Sequence, residues 1–264
     1  MTDTNGKTLK STHTTLDILE ALVDQEKPSG AKIASDLDYS RSAIHYHLKT
    51  LQQRKYVVYE DGHYRLGLKT LRLSGAALAK TPLYPHVERA VERLYEETGM
   101  FSRVMASELD RGVYVAHVGE PPEAIADHER GTEEPLDLNA FGRAILAFLP
   151  EEDLMRITRG SDHVRKKSED HPSEQELLRQ LSRIEQRKLA FDNGDRSNGI
   201  RNIASPVIVE DEVVGSIGVS SESIDPNTTQ NRLKARRFAE EEPELVRGVA
   251  RDLGERIEEA SSVR

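Results

Sequence analysis

Basic and polar side chains suited to binding DNA are concentrated in one short window of the sequence. Between Tyr39 and Tyr59 there is no acidic residue, whereas Arg, Lys and His recur there. Arg, Ser and His near the start of an exposed helix can hydrogen-bond base edges in the major groove, and nearby cations bind phosphates. The predicted DNA-binding residues, in this window and just after it, are Ser40, Arg41, Ser42, His45, Tyr46, Lys49, Arg54, Lys55, His63 and Arg65.

Three short helices are predicted to position these side chains. Apolar residues at helical spacing predict the first helix over residues 14–23. Ser29 and Ser40 are suited to begin the second and third helices, because a serine hydroxyl accepts from the free amides of a first turn. The predicted buried face of the third helix consists of Ile44, Leu48 and Leu51. The DNA-binding residues of this helix fall on its opposite face.

A β-hairpin is predicted directly after the third helix. Residues 56–59 and 63–66 have strand propensity and flank Asp61-Gly62, a dipeptide typical of tight hairpin turns. Three helices followed by a hairpin form a winged helix-turn-helix, which we assign to residues 11–68. The whole arrangement favours DNA binding. The alternative is that Tyr46 packs on the first helix and that His45 is merely solvated.

The net charge of −9 hides two regions of opposite sign. Residues 1–80 hold 12 Lys and Arg against 9 Asp and Glu, whereas residues 81–264 hold 25 against 37. Such asymmetry is typical of a basic part that meets nucleic acid and an acidic part that stays solvated and repels phosphate. The acidic surface also suits high salt, where many acidic surface residues help solubility. Residues 1–10 are polar and are predicted to form a disordered tail.

The sequence also lacks the features of several protein classes. Without Cys it has no disulfide, no thiolate metal site and no Cys nucleophile. No stretch approaches 18 uncharged apolar residues, and the N-terminus lacks the apolar core of a secretory signal. We therefore expect a cytoplasmic protein without a membrane partner.

A linker helix is predicted over residues 69–82, because no turn signal occurs before Pro82. Small residues are grouped at positions 74–77, and small side chains allow another helix to approach closely. Two interpretations fit this pattern equally well. The helix either forms a contact between two copies of the chain or is an ordinary connection between domains.

Residues 83–264 are predicted to form one domain, which makes the fold class α+β. We expect a sheet with helices on one or both faces, and a mixture of parallel and antiparallel strand pairs. Strands are predicted at residues 101–107, 113–118, 202–209 and 213–220, with a short extended segment at 136–138. Helices are predicted before Gly99 and at residues 140–149, 151–159, 173–188 and 244–259.

Three segments of the sequence together resemble the IclR family of transcriptional regulators. They are residues 40–48 with 63–67, residues 135–150, and residues 190–206. The resemblance implies an N-terminal winged helix-turn-helix and a C-terminal GAF-like effector-binding domain. It also implies a homodimer or tetramer that binds a pseudo-palindromic double-stranded DNA operator. The effector would be a small organic acid or a sugar-derived compound, and the regulated genes would be catabolic.

The resemblance also implies which residues contact the effector. Backbone amides after Asn139, at the start of a helix, favour an anion, while Asn202 and Ser220 offer neutral donors. Asp192 is suited to accept from a ligand hydroxyl. Simpler roles stay open, because Asp192 also suits a turn and Ser220 a helix cap. The effector-binding residues carried over are Asn139, Ala140, Phe141, Gly142, Asp192, Ile200, Asn202, Gly218 and Ser220.

Three positions near the expected effector site depart from the residues common in the family, as do Ala43 and Tyr46 in the third helix. Phe141 replaces a small residue, Asp137 stands where His is frequent, and Asn202 takes a position that can be Cys. Asp137 adds negative charge near an expected anion site. These differences leave room for a hydroxylated or aromatic effector.

Two other functions are weighed against regulation. An enzyme is disfavoured, because the sequence has no Gly-rich phosphate loop and no paired acid and base, and its His residues, including His163 and His171, are scattered. Asp127-His128-Glu129 is suited to a cation but is better explained as a solvated loop. We predict no cofactor and no metal. A ligand-binding interaction module without DNA binding would require the basic face to be incidental, and salt-dependent DNA binding distinguishes the two.

Overall fold

The computed structural model describes residues 7–126, 130–165, 173–193, 199–222 and 238–262, without the side chains of residues 160–165 and 193. Contacts divide the chain into two units, Met1–Leu78 and Ala79–Arg264. The first unit begins with helices α1 (Lys10–Ala21), α2 (Gly30–Asp36) and α3 (Arg41–Gln53). Helix α1 begins at Lys10, four residues before the predicted start.

Both predicted serine caps of the first unit are confirmed. The Ser29 hydroxyl accepts from the amide of Lys32 at 3.2 Å, and the Ser40 hydroxyl accepts from the amide of Ala43 at 3.2 Å. The predicted buried face of α3 is confirmed as well, because Ile44, Leu48 and Leu51 are all buried. They form a core with residues of the other two helices and of the following hairpin, including Ile18, Ile33 and Val57.

The wing is a hairpin of β1 (Val57–Glu60) and β2 (His63–Leu66). Glu60 pairs with His63, so the turn contains only two residues, Asp61 and Gly62, with φ of 52° and 86°. Positive φ at both central residues is what the right-handed twist of a hairpin favours, and Asp-Gly meets it at low cost. The amide of Tyr64 donates to the carbonyl of Pro28 at 2.9 Å, which ties the wing to the turn before α2.

The linker helix is shorter than predicted. Helix α4 spans Thr70–Leu78, and none of its nine residues is buried. Its apolar side chains at Leu71 and Leu73 are 64% and 59% exposed. Nothing described within the first unit therefore covers this helix.

The second unit is built on a six-stranded sheet. Its strands are β3 (Phe101–Glu108), β4 (Arg111–Val118), β5 (Glu133–Pro135), β6 (Ala190–Asn193), β7 (Ile200–Val209) and β8 (Glu212–Glu222). Their order across the sheet is β5-β4-β3-β8-β7-β6, and every described pair is antiparallel. The prediction of mixed parallel and antiparallel pairing was therefore wrong.

Helices cover both faces of this sheet. The helices are α5 (Val87–Thr98), α6 (Ala140–Leu146), α7 (Glu151–Arg165), α8 (Glu174–Arg187) and α9 (Glu242–Ser262). Met105 and Ala204 of the sheet join the core formed by α6 and α8. Ile203 and Val219 are buried although they point away from that core, and α5 and α9 contact the sheet and each other.

Two local predictions for the second unit were wrong. Residues 136–138 form a turn, and the short strand lies before them, where Glu133–Pro135 pairs with Arg111–Val113. The turn between β3 and β4 is shorter than predicted, because Leu109 and Asp110 alone make it with positive φ. Strand β6, which the sequence indicated only as a turn, pairs with β7 along its whole length. No described helix is long and apolar enough to cross a membrane.

Candidate DNA-binding face and effector site

The exposed face of α3 carries the side chains that the sequence predicted for DNA. Arg41, Ser42, His45 and Lys49 are exposed. Tyr46 is 68% exposed, and its ring lies 6.0 Å from that of His45. The alternative in which Tyr46 packs on α1 is thus not what the structure shows. Instead, His47 faces α1, where its Nδ1 lies 2.8 Å from the Thr15 hydroxyl oxygen.

The cations expected to contact phosphates differ in their surroundings. Arg54 and Lys55 follow the end of α3 and are exposed. Arg65 on the wing donates to Glu60 at 3.2 and 3.3 Å, and both side chains are exposed. His63 is only half-exposed. Ion pairs between exposed groups are weak, so the Arg65 guanidinium is able to exchange Glu60 for a phosphate.

Strand register brings the predicted polar residues of the effector site into one row. Asp192 pairs with Asn202, Asn202 with Ser220, and Ser220 with Phe101. Residues directly opposite each other on neighbouring strands share a face of the sheet, so these four side chains lie side by side. All four side chains are buried.

Hydrogen bonds connect this row. The Ser220 hydroxyl donates to Oδ1 of Asn202 at 2.6 Å, and Nδ2 of Asn202 donates to Asp192 at 3.4 Å. Ser220 lies inside β8 and not at a helix end, and Asp192 lies inside β6 and not in a turn. The simpler roles considered for these two side chains do not fit these positions.

Two buried arginines flank the row, and sequence reasoning missed both. Arg103 on β3 donates to Ser220 at 2.8 Å and to Asn202 at 3.4 Å. Arg143 on α6 lies 3.9 Å from the carboxylate of Asp192 and donates to the backbone carbonyls of Asp137, Leu138 and Phe191. Period-two alternation in the apolar strand 101–106 was a signal for Arg103, because it places Arg103 on the face of Phe101 and Met105.

The start of α6 is closed by its own cap. Oδ1 of Asn139 accepts from the amides of Phe141 and Gly142 at 2.9 and 3.2 Å. Its Nδ2 donates to the Tyr114 hydroxyl at 3.1 Å and to Glu134. Two of the amides expected to attract an anion are therefore already engaged within the protein.

Tyr114 joins this cluster as a neutral donor. Its hydroxyl donates to Glu134 at 2.8 Å, and its ring lies edge-on to Phe141 at 5.7 Å. Burial strongly raises the pKa of the Tyr114 hydroxyl, which therefore stays protonated at neutral pH.

The two glycines of the predicted site are needed for close packing. A Cβ atom at Gly142 would overlap the carbonyl of Leu136, and one at Gly218 would overlap the carbonyl of Ile203. Both neighbours are backbone atoms, which cannot move aside cheaply. These positions thus require Gly whether or not a ligand binds there.

Apolar side chains border one end of the row. Ile200 packs with Phe101 and Ile125 in a small buried cluster. Ala140 and Phe141 are buried in the larger core under α6. Asp137 is fully buried, and its backbone carbonyl accepts from Arg143. The row therefore lies among two guanidinium groups and buried aromatic and aliphatic side chains.

Groups that could hold a metal are not found in the part of the chain that the structure describes. Asp127-His128-Glu129 and His171 lie outside the described residues, as does the side chain of His163. The prediction of a solvated loop at residues 127–129 is therefore not tested.

Comparison with known proteins identifies both units. A family model for the IclR helix-turn-helix domain matches residues 14–61, and one for the C-terminal part of the bacterial transcriptional regulator IclR matches residues 75–259. A curated relative, the probable HTH-type transcriptional regulator ArcR of Halobacterium salinarum, is 27% identical over 250 residues. That alignment covers 93% of this chain and 92% of the relative.

Solved structures share the fold at lower identity. The Thermotoga maritima IclR has a TM-score of 0.71 and 21% identity, with 92% of this chain and 98% of that one covered. An IclR homologue from Microbacterium hydrocarbonoxydans, solved with 4-hydroxybenzoate, has a TM-score of 0.74 and 15% identity, with 95% and 100% covered. Because the C-terminal family model alone matches well over half of its length, the chain belongs to the IclR family of DNA-binding transcriptional regulators.

Proposed function

We propose that this regulator reads a pseudo-palindromic operator through α3 and the wing, under the control of a small effector. The effector is an organic acid or a sugar-derived compound bound on the sheet of the second unit, and the regulated genes are catabolic. One observation carries the proposal. Helix α3 buries Ile44, Leu48 and Leu51 and exposes a face with cations and no acid, in a chain of net charge −9. DNA is the partner that such a face fits.

Base reading is assigned to the first half of α3. Arg41 and His45 are exposed and lie one turn apart, so both can reach base edges when the helix enters the major groove. Arg41 is suited to bind guanine O6 and N7 through two hydrogen bonds. Lys49, Arg54 and Lys55 lie further along and are assigned to phosphates, which fix register and add salt-dependent affinity.

Effector binding is assigned to the row of Asp192, Asn202 and Ser220. Its support is that three residues from three different strands, all implied by the family resemblance, form one hydrogen-bonded row. The related protein solved with 4-hydroxybenzoate supports a small organic ligand for this fold. A ligand that binds one arrangement of two DNA-binding units more tightly than another would shift the equilibrium between the arrangements. The resulting change in operator affinity is limited by the difference between the free energies with which the ligand binds the two arrangements.

We assign the contact between copies of the chain, in a homodimer or tetramer, to the uncovered side of α4. Leu68, Leu71 and Leu73 are all more than half exposed on or next to this helix, and its small residues permit a second helix to pack closely. A second copy of the chain is the partner that makes two winged helices available to two half-sites. Such half-sites lie one helical turn of DNA apart, or a multiple of it.

The test is DNA binding by the full chain with duplexes that the wild-type protein selects from a random pool. The double variant R41A/H45A is expected to lose about 1–3 kcal/mol per lost base contact, which weakens specific binding by roughly a hundredfold or more. R156A, which removes an exposed arginine of the second unit, is the matched control and binds normally. Titration with salt separates the two kinds of contact, because loss of base contacts leaves the salt slope nearly unchanged. Normal binding by R41A/H45A contradicts the assignment of α3.

A further inference from the structure

Arg103 is a buried cation at the centre of the second unit, and the family resemblance gave it no role. It lies on β3 with 1% of its surface exposed. Three aromatic rings enclose its guanidinium carbon, at 4.2 Å for Tyr114, 4.8 Å for Phe141 and 5.3 Å for Phe101. A guanidinium in such a place is expensive to bury, so its retention needs a reason beyond packing.

Arg103 shares its hydrogen-bond partners with the proposed effector site. Its Nη2 donates to the Ser220 hydroxyl at 2.8 Å and to Oδ1 of Asn202 at 3.4 Å. These are two of the three polar residues of the row to which we assign the effector. Any ligand that reaches Ser220 and Asn202 therefore also reaches the guanidinium of Arg103.

The carboxylates around this guanidinium have donors of their own. Glu134 accepts from the hydroxyl of Tyr114 and from Asn139. Asp192 lies 3.9 Å from Arg143 and accepts from Asn202. Asp137 is also buried, and its backbone carbonyl accepts from Arg143. Burial lowers the pKa of the Arg103 guanidinium, while Tyr114 and Glu134 act in the opposite direction.

A guanidinium presents its donors in a fixed planar fork that matches the two oxygens of a carboxylate. In a site closed to water this attraction is stronger than at a surface, and a neutral group of the same shape gains little from it. The enclosing rings add flat apolar surface, against which the body of a planar acid can lie.

We propose that Arg103 is the specificity-determining residue of the effector site, and that it makes this regulator select a carboxylate over a neutral compound of the same shape. This inference rests on the proposed function, since it concerns the same site. It assigns the selecting charge to β3 and not to the capped start of α6. The carboxylate can belong to an aliphatic oxo acid, a sugar acid or an aromatic acid, and the test has one arm for each.

The first experiment uses the wild-type chain and pairs of probes that differ only in charge. Melting temperature is measured with pyruvate and pyruvamide, gluconate and gluconamide, and 4-hydroxybenzoate and 4-hydroxybenzamide. At least one acid is expected to raise the melting temperature, while its amide at the same concentration does not. The proposal is overturned if no acid raises it, or if an amide is as effective as its acid.

The second experiment uses variants with the acid that binds. R103Q is expected to bind it at least a hundredfold more weakly, and R103K, which keeps the charge but not the fork, about tenfold more weakly. R201Q is the matched control, because Arg201 on β7 lies on the other face of the sheet, 3.9 Å from the ring of Phe238. If R103Q does not fold, R103K and the acid–amide comparison still decide. Equal affinity of R103K and the wild type for the acid overturns the proposal.

The two levels of the proposal fail in different ways. Binding of a neutral amide that depends on Ser220 and changes operator affinity contradicts the role of Arg103 but leaves the regulator intact. Binding of an acid through Arg103 with no change in operator affinity contradicts the proposed control by an effector, but leaves the selectivity of the site standing.

Discussion

The α3 face and the sheet row are both made of polar and charged side chains, but they are built in opposite ways. The α3 face comes from one continuous helix, and its predicted contact residues point into solvent. The row comes from four strands between residues 101 and 220, and its one charged group, Asp192, is buried beside the flanking Arg143. Exposed charged groups that are available to a partner and buried charged groups that already interact within the fold therefore need different experiments.

Exposure decides what a substitution measures in each region. Removing Arg41 changes an exposed side chain, so we expect it to alter DNA affinity with little effect on folding. Removing a charge from the row leaves its partner buried, so it alters stability as well as any ligand affinity. If substitutions in the two regions had the same effect on stability, this distinction would be wrong.

The largest effect is expected for R143M. The variant leaves the buried carboxylate of Asp192 without its 3.9 Å ion pair and frees three backbone carbonyls. Breaking a buried pair by removing one partner costs about 3–5 kcal/mol. Urea denaturation measures the loss, with R156Q as the exposed control. A change within experimental error for R143M shows that the row is as tolerant as a surface.

A smaller loss is expected for S220A. The variant removes one acceptor of Arg103 and one donor to Asn202, both inside the sheet. Leaving buried polar groups without a partner costs about 1–3 kcal/mol. S221A is the matched control on the opposite face, because the Ser221 hydroxyl makes no hydrogen bond with any residue that the structure describes. Equal stability of S220A and S221A contradicts the role given to the row.

In the first unit we expect S40A to lower the free energy of unfolding by about 1 kcal/mol, because it removes the side-chain cap of α3. Hydrogen exchange of the α3 amides measures this, and protection falls roughly fivefold. S42A, two residues further along α3 and exposed, leaves the protection of these amides unchanged. If S42A reduces protection as much as S40A, the exposed face of α3 contributes to folding and the distinction fails.

The smallest effect is expected for D252N, which breaks an ion pair between α9 and α5. Arg93 donates to Asp252 at 2.7 Å and lowers the pKa of this carboxyl. The pair is about one-third exposed or more, and solvent screening limits its contribution to less than about 1 kcal/mol. A lowered pKa stabilises the fold above the ordinary carboxyl pKa, and this is lost as the pH falls through the lowered value. The difference in stability from the wild type should therefore shrink as the pH falls below the ordinary carboxyl pKa and vanish once the pH lies below the lowered value. A difference that persists in strong acid contradicts the pairing.

Local sequence signals were sufficient for the caps, the core face of α3 and the wing turn of the first unit, but not for the bounds of α1 and α4. The caps at Ser29 and Ser40, the buried face of α3 and the Asp61-Gly62 turn depend on residues a few positions apart, so spacing alone could reveal them. The sheet row could not be found in this way. Asp192, Asn202 and Ser220 were identified only through a family resemblance, because register between strands sets their contact.

The misses have the same physical origin. Arg103 and Arg143 are charged residues inside apolar segments, and only long-range partners explain why they can be buried there. Asn139 was expected to leave free amides for an anion, whereas its own side chain takes two of them. Strand β5 follows a charged, Pro-containing segment and is a strand only because the edge of β4 pairs with it.

If α4 packs against a second copy of the chain, as proposed, the order of this linker helix depends on protein concentration. A helix of nine residues is marginal in water on its own, because the initiation of a helix is unfavourable and few bonds follow it. Packing against a second copy would supply the apolar contacts that the described residues of the first unit do not give to α4. Dilution below the dissociation constant of that contact would then melt the helix as it separates the copies. Separation of the copies would then coincide with a gain of conformational entropy in the linker. Binding to two half-sites by two winged helix-turn-helix units would therefore be lost cooperatively.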